Sequence, residues 1–191
     1  MTFARCLLAC FAALLLTAPV AAASAAPVAQ TSASSFTLRT SRGMVARIGA
    51  FRTRRDPTIR AAIRVFGRPS SRRRDGNNKI CMTQWRRLRL RIVFANFGAA
   101  PLRQSVCSDS ISLAQSFTAR GRRFRTWRGL RVGQRSSMIS RRHPSAEFRR
   151  HTWWLRTAVS PIGGRDEYPV VDAIVSGGRV RALRGWVGAA G

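Results

Sequence analysis

Residues 127–144, with the sequence WRGLRVGQRSSMISRRHP, are the stretch around which the rest of the chain is arranged. Gly133 precedes a short segment with the features of a helix. Ser136 or Ser137 can cap the start of this helix, and Pro144 ends it because proline cannot continue a helical hydrogen-bond pattern. Strand-like residues follow as far as Trp186. This stretch therefore predicts one short helix followed by sheet.

An earlier part of the chain has the same order of features. Ile48-Gly49 opens it, a helical pattern spans Asp56 to Gly67, and strand-like residues run from Leu88 to Phe97. The repetition predicts an α+β fold built from two tandem modules, each a short helix packed on an antiparallel sheet. The predicted ranges are 36–118 for the first module, 119–128 for a basic linker, and 129–191 for the second module.

The helix of the first module has the clearest local signal. Asp56 can cap it, Pro57 suits the first helical position, and Gly67 followed by Pro69 ends it. The apolar side chains recur at helical spacing and predict one buried face. They are Ile59, Ile63 and Phe66.

Alternation of apolar and polar residues predicts the strands. Phe36–Thr40 and Met44–Ile48 are short strands joined by a turn at Ser41-Arg42-Gly43. Residues 111–118 are predicted as an edge strand, and residues 148–159 as one continuous strand. The later predicted strands, Tyr168–Val175 and Arg179–Val187, form a hairpin around Gly177-Gly178.

The N-terminus has the pattern of a signal peptide spanning residues 1–25. Met1–Arg5 is a short basic segment, Cys6–Ala18 is apolar, and Ala23–Ala25 offers a small-residue cleavage site. A retained anchor and an acylated Cys10 are the alternatives. Export to the cell envelope or the extracellular space is predicted, with residues 26–35 as a flexible lead-in and no transmembrane segment in the mature chain.

Cysteine usage agrees with export. Two cysteines lie in the predicted signal peptide, and the mature chain keeps Cys81 and Cys107. An even pair in an oxidising compartment predicts a disulfide between them.

The chain has a formal net charge of +28, with 35 basic and 7 acidic residues. Lys79 is the single lysine, so the basic residues are almost all arginine. A GC-rich genome would explain the choice of arginine over lysine, and selection for bidentate phosphate or carboxylate binding is the alternative. Codon usage does not explain the shortage of acids, so part of the charge is expected to serve anionic partners, solubility or non-specific adhesion to polyanions. Anionic envelope polymers and an acidic protein are the candidates, and no specific nucleic acid is predicted.

Two kinds of residue are candidates for binding a partner. The first is basic clusters in exposed loops, where Arg122 and Arg123 alternate with the aromatic residues Phe124 and Trp127 as in single-stranded nucleic-acid binders. Packing of these two aromatics on neighbouring sheets is the competing interpretation. The second is the pair of adjacent tryptophans, which point to opposite faces of a strand and so place one outside the core. The candidate binding residues are Trp153, Trp154, Arg72, Arg73, Arg74, Arg122 and Arg123.

The two modules resemble the helix-plus-sheet domains of β-lactamase-inhibitory-protein-like proteins and of the small outer-membrane β-barrel-assembly lipoprotein. The residues that carry the resemblance are Ile48-Gly49 with Phe66–Pro69, and Leu130–Gly133 with His143-Pro144. The chain also resembles a group of uncharacterised arginine-rich proteins exported by bacteria. The resemblance implies an α+β protein that binds other macromolecules through its sheet, with no catalysis and no cofactor.

No motif in the sequence predicts catalysis. His143, Glu147 and His151 have a spacing that would align them on a helix, but Pro144 breaks that helix, so no metal site is predicted. The few acids are scattered and form no pair suited to acid–base chemistry. The sequence therefore favours a non-enzymatic binding or structural protein, with an electrostatic nucleic-acid or polyanion binder and an unrecognised hydrolase as alternatives.

Overall fold

A computed structural model describes residues 35–96, 98, 104–108, 110–159 and 166–188. All of them belong to one compact unit, Ala33–Gly191. The predicted signal peptide, nearly all of the lead-in, and most of the loop between residues 160 and 167 lie outside the described residues.

The described chain is built mainly from antiparallel strands. In chain order the elements are β1 (Phe36–Ser41), β2 (Met44–Ile48), β3 (Phe51–Arg52), α1 (Ile59–Phe66), β4 (Ser71–Arg74), β5 (Ile80–Trp85), β6 (Leu90–Ala95), β7 (Leu113–Ala119), β8 (Phe124–Arg125), α2 (Met138–Arg142), β9 (Glu147–Arg149), β10 (Thr152–Val159), β11 (Glu167–Ser176) and β12 (Arg179–Trp186). A small sheet has the order β3-β2-β1-β8, and a large sheet of 8 strands has the order β4-β5-β6-β7-β12-β11-β10-β9.

The predicted α+β fold of two helix-plus-sheet modules is wrong, because the protein is mostly β. Of the two helices in the described residues, the longer has 8 residues and the shorter has 5, so neither can cover a sheet by itself. Each helix does precede four antiparallel strands, α1 before β4–β7 and α2 before β9–β12. However, β7 pairs with β12, so the strands of both predicted modules form one continuous sheet.

Two further predictions about the middle of the chain need correction. The segment predicted as an edge strand is β7, which lies between β6 and β12 because its side chains Ala114, Phe117 and Ala119 are buried on the core face. The segment predicted as a linker contributes β8 to the small sheet. Phe124 of that strand is fully buried, which ties this basic segment to the core.

Helix α1 lies where the sequence places it, but its cap differs by two residues. Thr58 is the N-cap, and its hydroxyl accepts a hydrogen bond from the backbone N–H of Ala61 at 3.2 Å. Asp56 instead accepts a hydrogen bond from the Thr58 hydroxyl at 2.6 Å. Asp56 therefore orients the capping side chain, and Gly67 ends the helix as predicted.

The predicted turns are confirmed in the β1–β2 and β11–β12 hairpins, whereas the turn of the β9–β10 hairpin was not predicted. Gly177 and Gly178 have φ values of 57° and 66° and join β11 to β12, a conformation that glycine adopts without steric cost. The predicted strand 148–159 is instead a hairpin of β9 and β10. Its turn residues Arg150 and His151 have φ values of 47° and 64°, and neither residue type signals a turn in the sequence.

The small sheet packs on one face of the large sheet, and the main hydrophobic core lies between them. The core side of the small sheet is a row of paired residues, Leu38, Ile48 and Phe51, all almost fully buried. At the contact with the large sheet, a Cβ added to Gly185 would lie 2.8 Å from Val45 of β2. The Tyr168 hydroxyl also donates to the carbonyl of Gly43 at 2.9 Å, which fixes the β1–β2 hairpin on β11.

Cys81 and Cys107 form the predicted disulfide, with their Cα atoms 5.1 Å apart. The bond joins the core face of β5 to the segment 104–108. Asn78 strengthens this attachment, because its side-chain amide donates to Gln104 and its side-chain oxygen accepts from Val106.

Candidate anion-binding surface

The outer face of the small sheet carries a row of arginines. Arg39 of β1 pairs with Arg47 of β2, which pairs with Arg52 of β3. The row arises because Leu38, Ile48 and Phe51 face the core, so their neighbours in the alternation must face solvent. Like charges directly opposite each other destabilise a sheet. We call Arg39, Arg47 and Arg52 the arginine row.

Two more arginines extend this surface into a cleft. Arg54 and Arg55 follow β3, and together with Ala46, Arg47 and Arg52 they line a cleft of about 520 Å³. The turn that holds them is fixed by backbone hydrogen bonds, from Arg55 and Asp56 N–H groups to the carbonyl of Arg52. We call this feature the arginine cleft.

Within the described residues, no carboxylate forms an ion pair with the arginine row or with the arginine cleft. The acid nearest in sequence, Asp56, pairs with Arg64 and accepts from Thr58. The hydrogen bond from Thr58 and the contact with Arg64 lower the pKa of Asp56. The Asp56 carboxylate is therefore charged and already bonded at the start of α1.

The other ion pairs lie on the large sheet. Arg149 of β9 pairs with Glu147 and Glu167, and Arg184 of β12 pairs with the buried Asp172 of β11. Hydrogen bonding to Asp172 raises the pKa of Arg184. These pairs leave the carboxylates concerned unavailable to the small sheet.

The basic clusters predicted from the sequence lie outside the arginine cleft. Residues 72–74 were predicted to be in a loop, but they belong to β4, an exposed edge strand of the large sheet. Arg72 donates to the carbonyl of Cys107 at 3.1 Å, so it supports the disulfide-linked segment. Arg73 is paired with Met82 in the adjacent strand, and Arg74 is paired with Cys81. Arg122 and Arg123 are exposed in the turn before β8.

The two adjacent tryptophans do occupy opposite faces of β10, but neither is largely exposed. Trp153 pairs with Ala173, and its ring contacts that of Phe148 in a tilted arrangement with centroids 5.6 Å apart. Trp154 lies on the outer face and is only 4% exposed, because the guanidinium of Arg149 lies over its ring at 5.4 Å. The aromatic side chain that is exposed on this outer face is Trp186, at 47%.

A row of paired residues crosses all eight strands of the large sheet on the outer face, the face that points away from the small sheet. Its members are Ser71, Gln84, Arg91, Thr118, Arg184, Asp172, Trp154 and Glu147. Both charge signs occur in this row, and Asp172 and Glu147 are paired with arginines. Unlike the arginine row, this row therefore has no two arginines on adjacent strands.

The aromatics between residues 120 and 128 pack against the protein. Phe124 stacks on Phe36 with ring centroids 5.1 Å apart, and Trp127 contacts the ring of His143 at 4.9 Å. These contacts fit the packing interpretation of this segment and leave Phe124 unavailable for base stacking.

His143 is the one histidine with a strongly perturbed environment in the described chain. It is 1% exposed, and its Nε2 atom lies 2.8 Å from the hydroxyl of Thr126. Burial, with a contribution from the charge of Arg128, lowers the pKa of His143 to about 4. The Thr126 hydroxyl oxygen accepts from the N–H of Leu130, so its hydrogen can be donated to the neutral ring.

His143 and Glu147 line a cavity of about 340 Å³, but Asp172 lies elsewhere, bonded to Arg184. The described residues contain no group of three or more His, Cys, Asp or Glu side chains placed to hold a metal ion. Among the same residues, no helix has both the length and the apolar character needed to cross a bilayer.

The arginine row was missed by sequence reasoning, although part of its signal was present. The strand pattern in 36–40 and 44–48 already places Arg39 and Arg47 opposite the buried positions. What the sequence did not reveal is β3, whose two residues are too few to show alternation.

No protein-family model, curated protein or solved structure matches the chain.

Proposed function

We propose that this is an exported, non-enzymatic protein that binds anionic partners in the cell envelope or outside the cell. The arginine row carries the proposal. Three guanidinium groups lie on adjacent strands with no carboxylate among the described residues to neutralise them, so an anion placed on this face would relieve their repulsion.

The chemistry of arginine supports an anionic ligand. A guanidinium presents a planar set of N–H donors that can bind a carboxylate or a phosphate through two hydrogen bonds. Arg47 and Arg52 are held on a sheet whose inner residues are fully buried, so their backbone positions are fixed before a ligand arrives. A fixed backbone lowers the entropy lost on binding.

Export is supported by the signal-like N-terminus and by the disulfide between Cys81 and Cys107. Absence of catalysis is supported by the surroundings of His143. Its Nε2 atom bonds to Thr126 and its ring packs on Trp127, which suits a structural role.

The test is retention of the purified, oxidised protein on a cell-wall fraction at low salt and at about 0.15 M salt, where the Debye length is about 8 Å. A variant with Arg39→Gln, Arg47→Gln and Arg52→Gln is compared with a control carrying Arg60→Gln, Arg86→Gln and Arg141→Gln. Both variants lose the same charge, and the control residues are exposed outside the arginine row.

We expect the wild type and the control to be retained at the higher salt and the row variant to be released. Equal release of both variants would contradict the proposal, because it would mean that net charge alone causes adhesion.

A further inference from the structure

The arginine cleft concentrates positive charge more than any other cavity described. Four arginines, Arg47, Arg52, Arg54 and Arg55, line about 520 Å³. The buried Thr53 anchors the strand between them, with its N–H donating to the carbonyl of Ala46 at 3.1 Å. The cleft is therefore built on fixed backbone, with arginines approaching from a strand pair and from the turn after it.

The lining of the cleft limits what it can bind. Among the described residues that line the cleft, Ala46 is the only one without a charge, and none is aromatic. The aromatic platform on which a nucleobase usually stacks is therefore missing from these residues, and so are the large hydrophobic side chains that line apolar ligand pockets. The lining instead suits a compact ligand whose surface consists almost entirely of oxygen atoms with negative charge.

The spacing of the arginines favours charges that lie close together. Paired residues on adjacent strands are separated by about 5 Å, so Arg47 and Arg52 start close to each other and their flexible side chains can converge. In a condensed phosphate, neighbouring phosphorus atoms share one bridging oxygen. Such a ligand offers several negative charges and many acceptors within the reach of four guanidinium groups. Each phosphate can accept two parallel hydrogen bonds from one arginine.

We propose that the arginine cleft is a binding site for pyrophosphate-type anions, in which two or more phosphates are joined through bridging oxygens. This inference rests on the proposed function and names the ligand class of part of the same surface. The anion is either free, as an inorganic polyphosphate chain, or carried as the diphosphate head group of a lipid.

The probe for the first experiment is tripolyphosphate, titrated calorimetrically into the purified, oxidised protein at about 0.15 M salt. Citrate serves as the comparison, because it carries similar charge on carboxylates instead of phosphates. A cleft variant with Arg52→Gln, Arg54→Gln and Arg55→Gln is compared with the control Arg60→Gln, Arg86→Gln and Arg141→Gln. Circular dichroism verifies that both variants remain folded.

We expect tripolyphosphate to bind the wild type more tightly than citrate does. Its dissociation constant should rise at least about tenfold in the cleft variant and stay within about twofold in the control. Equal weakening in the two variants, or equal affinity for citrate, would overturn the cleft as a phosphate site. If the wild type is then still retained on the wall fraction, the proposed function stands without the cleft. If the wild type neither binds tripolyphosphate nor is retained on the wall fraction, the phosphate site and the proposed function are both overturned.

A second experiment separates the two sources of the anion. Sedimentation with vesicles that contain a diphosphate lipid is compared with binding of long-chain polyphosphate. Binding of the vesicles alone assigns the lipid source, and binding of polyphosphate alone assigns the free chain. If the cleft variant retains wild-type binding to both, the site is not the cleft.

Discussion

Gly185 of β12 sets how closely the two sheets can approach. A methyl group at this position would lie 2.8 Å from Val45 of the small sheet and would also overlap the ring of Phe117, which is buried and cannot move aside. We expect Gly185→Ala to lower the free energy of unfolding by about 2 kcal/mol, because overpacking forces neighbours out of position.

The matched control is Gly76→Ala in the exposed turn before β5, where an added methyl group meets nothing within 4 Å. Chemical denaturation of the two variants provides the measurement. If Gly185→Ala lowers the free energy of unfolding no more than Gly76→Ala does, the two sheets are not tightly packed at Gly185.

His143 makes the free energy of unfolding depend on pH. Burial lowers its pKa from 6.5 to about 4 in the folded protein, so the unfolded chain binds a proton at a pH where the folded protein does not. The stability that depends on neutral His143 is therefore complete above about pH 6.5 and is lost as the pH falls toward 4. The total loss should be about 3 kcal/mol.

Denaturation of wild type and His143→Gln at pH 7, 6 and 5 tests this pH dependence. The glutamine amide can still bond to Thr126 but does not titrate. We expect the wild type to lose stability across this series and the variant to lose much less. If the free energy of unfolding falls equally with pH in the two proteins, His143 is not the source of the pH dependence.

At the scale of elements, the sequence predicts strands well where turn chemistry is conventional. The hairpin of β11 and β12 was predicted because Gly177-Gly178 is a recognisable turn. Helix α1 was predicted because the apolar residues recur at helical spacing and Gly67 ends them, although Asp56 was taken as the cap in place of Thr58. The β9–β10 hairpin was missed because Arg150 and His151 adopt positive φ without a glycine or asparagine to signal it. Strand β4 was missed because its residues, SRRR, contain no apolar position at all.

The disulfide between β5 and the segment 104–108 should contribute strongly to the free energy of unfolding. It joins Cys81 and Cys107 across a sequence separation of 26 residues. Constraining a segment of this length in the unfolded chain corresponds to about 3.5 kcal/mol in the chain-entropy treatment. We expect reduction to lower the free energy of unfolding by about that amount.

Denaturation with and without a thiol-free reductant measures this difference. The double variant Cys81→Ala and Cys107→Ala serves as the control, because it should not respond to the reductant. If the wild type is equally stable in both conditions, the bond is not a stabilising one.

At the scale of the whole molecule, the sequence indicated the charge but not where it is concentrated. The excess of arginine and the strands carrying Arg39 and Arg47 were visible in the sequence. The pairing of β3 with β2, which adds Arg52 to the row and places Arg54 and Arg55 beside it, depends on tertiary packing of Phe51 into the core. For the same reason, the joining of β7 to β12 into one sheet could not be read from local patterns, because each strand satisfies the same alternation in either arrangement.

Like charges on the arginine row should destabilise the free protein, and a bound anion should compensate them. Arg47 lies between Arg39 and Arg52, so Arg47→Gln removes both like-charge contacts at once. Without an anion we expect this variant to be more stable than the wild type by about 0.5 kcal/mol at low salt, with the gain disappearing at high salt.

This compensation can be measured from the unfolding temperatures of wild type and Arg47→Gln at low salt, each with and without tripolyphosphate. A ligand that binds the folded protein raises its unfolding temperature, and at a given ligand concentration the rise is larger for tighter binding. We predict that the variant is the more stable protein alone and that the wild type becomes the more stable one when the anion is present. An unchanged order, or an equal rise in both proteins, would contradict the account.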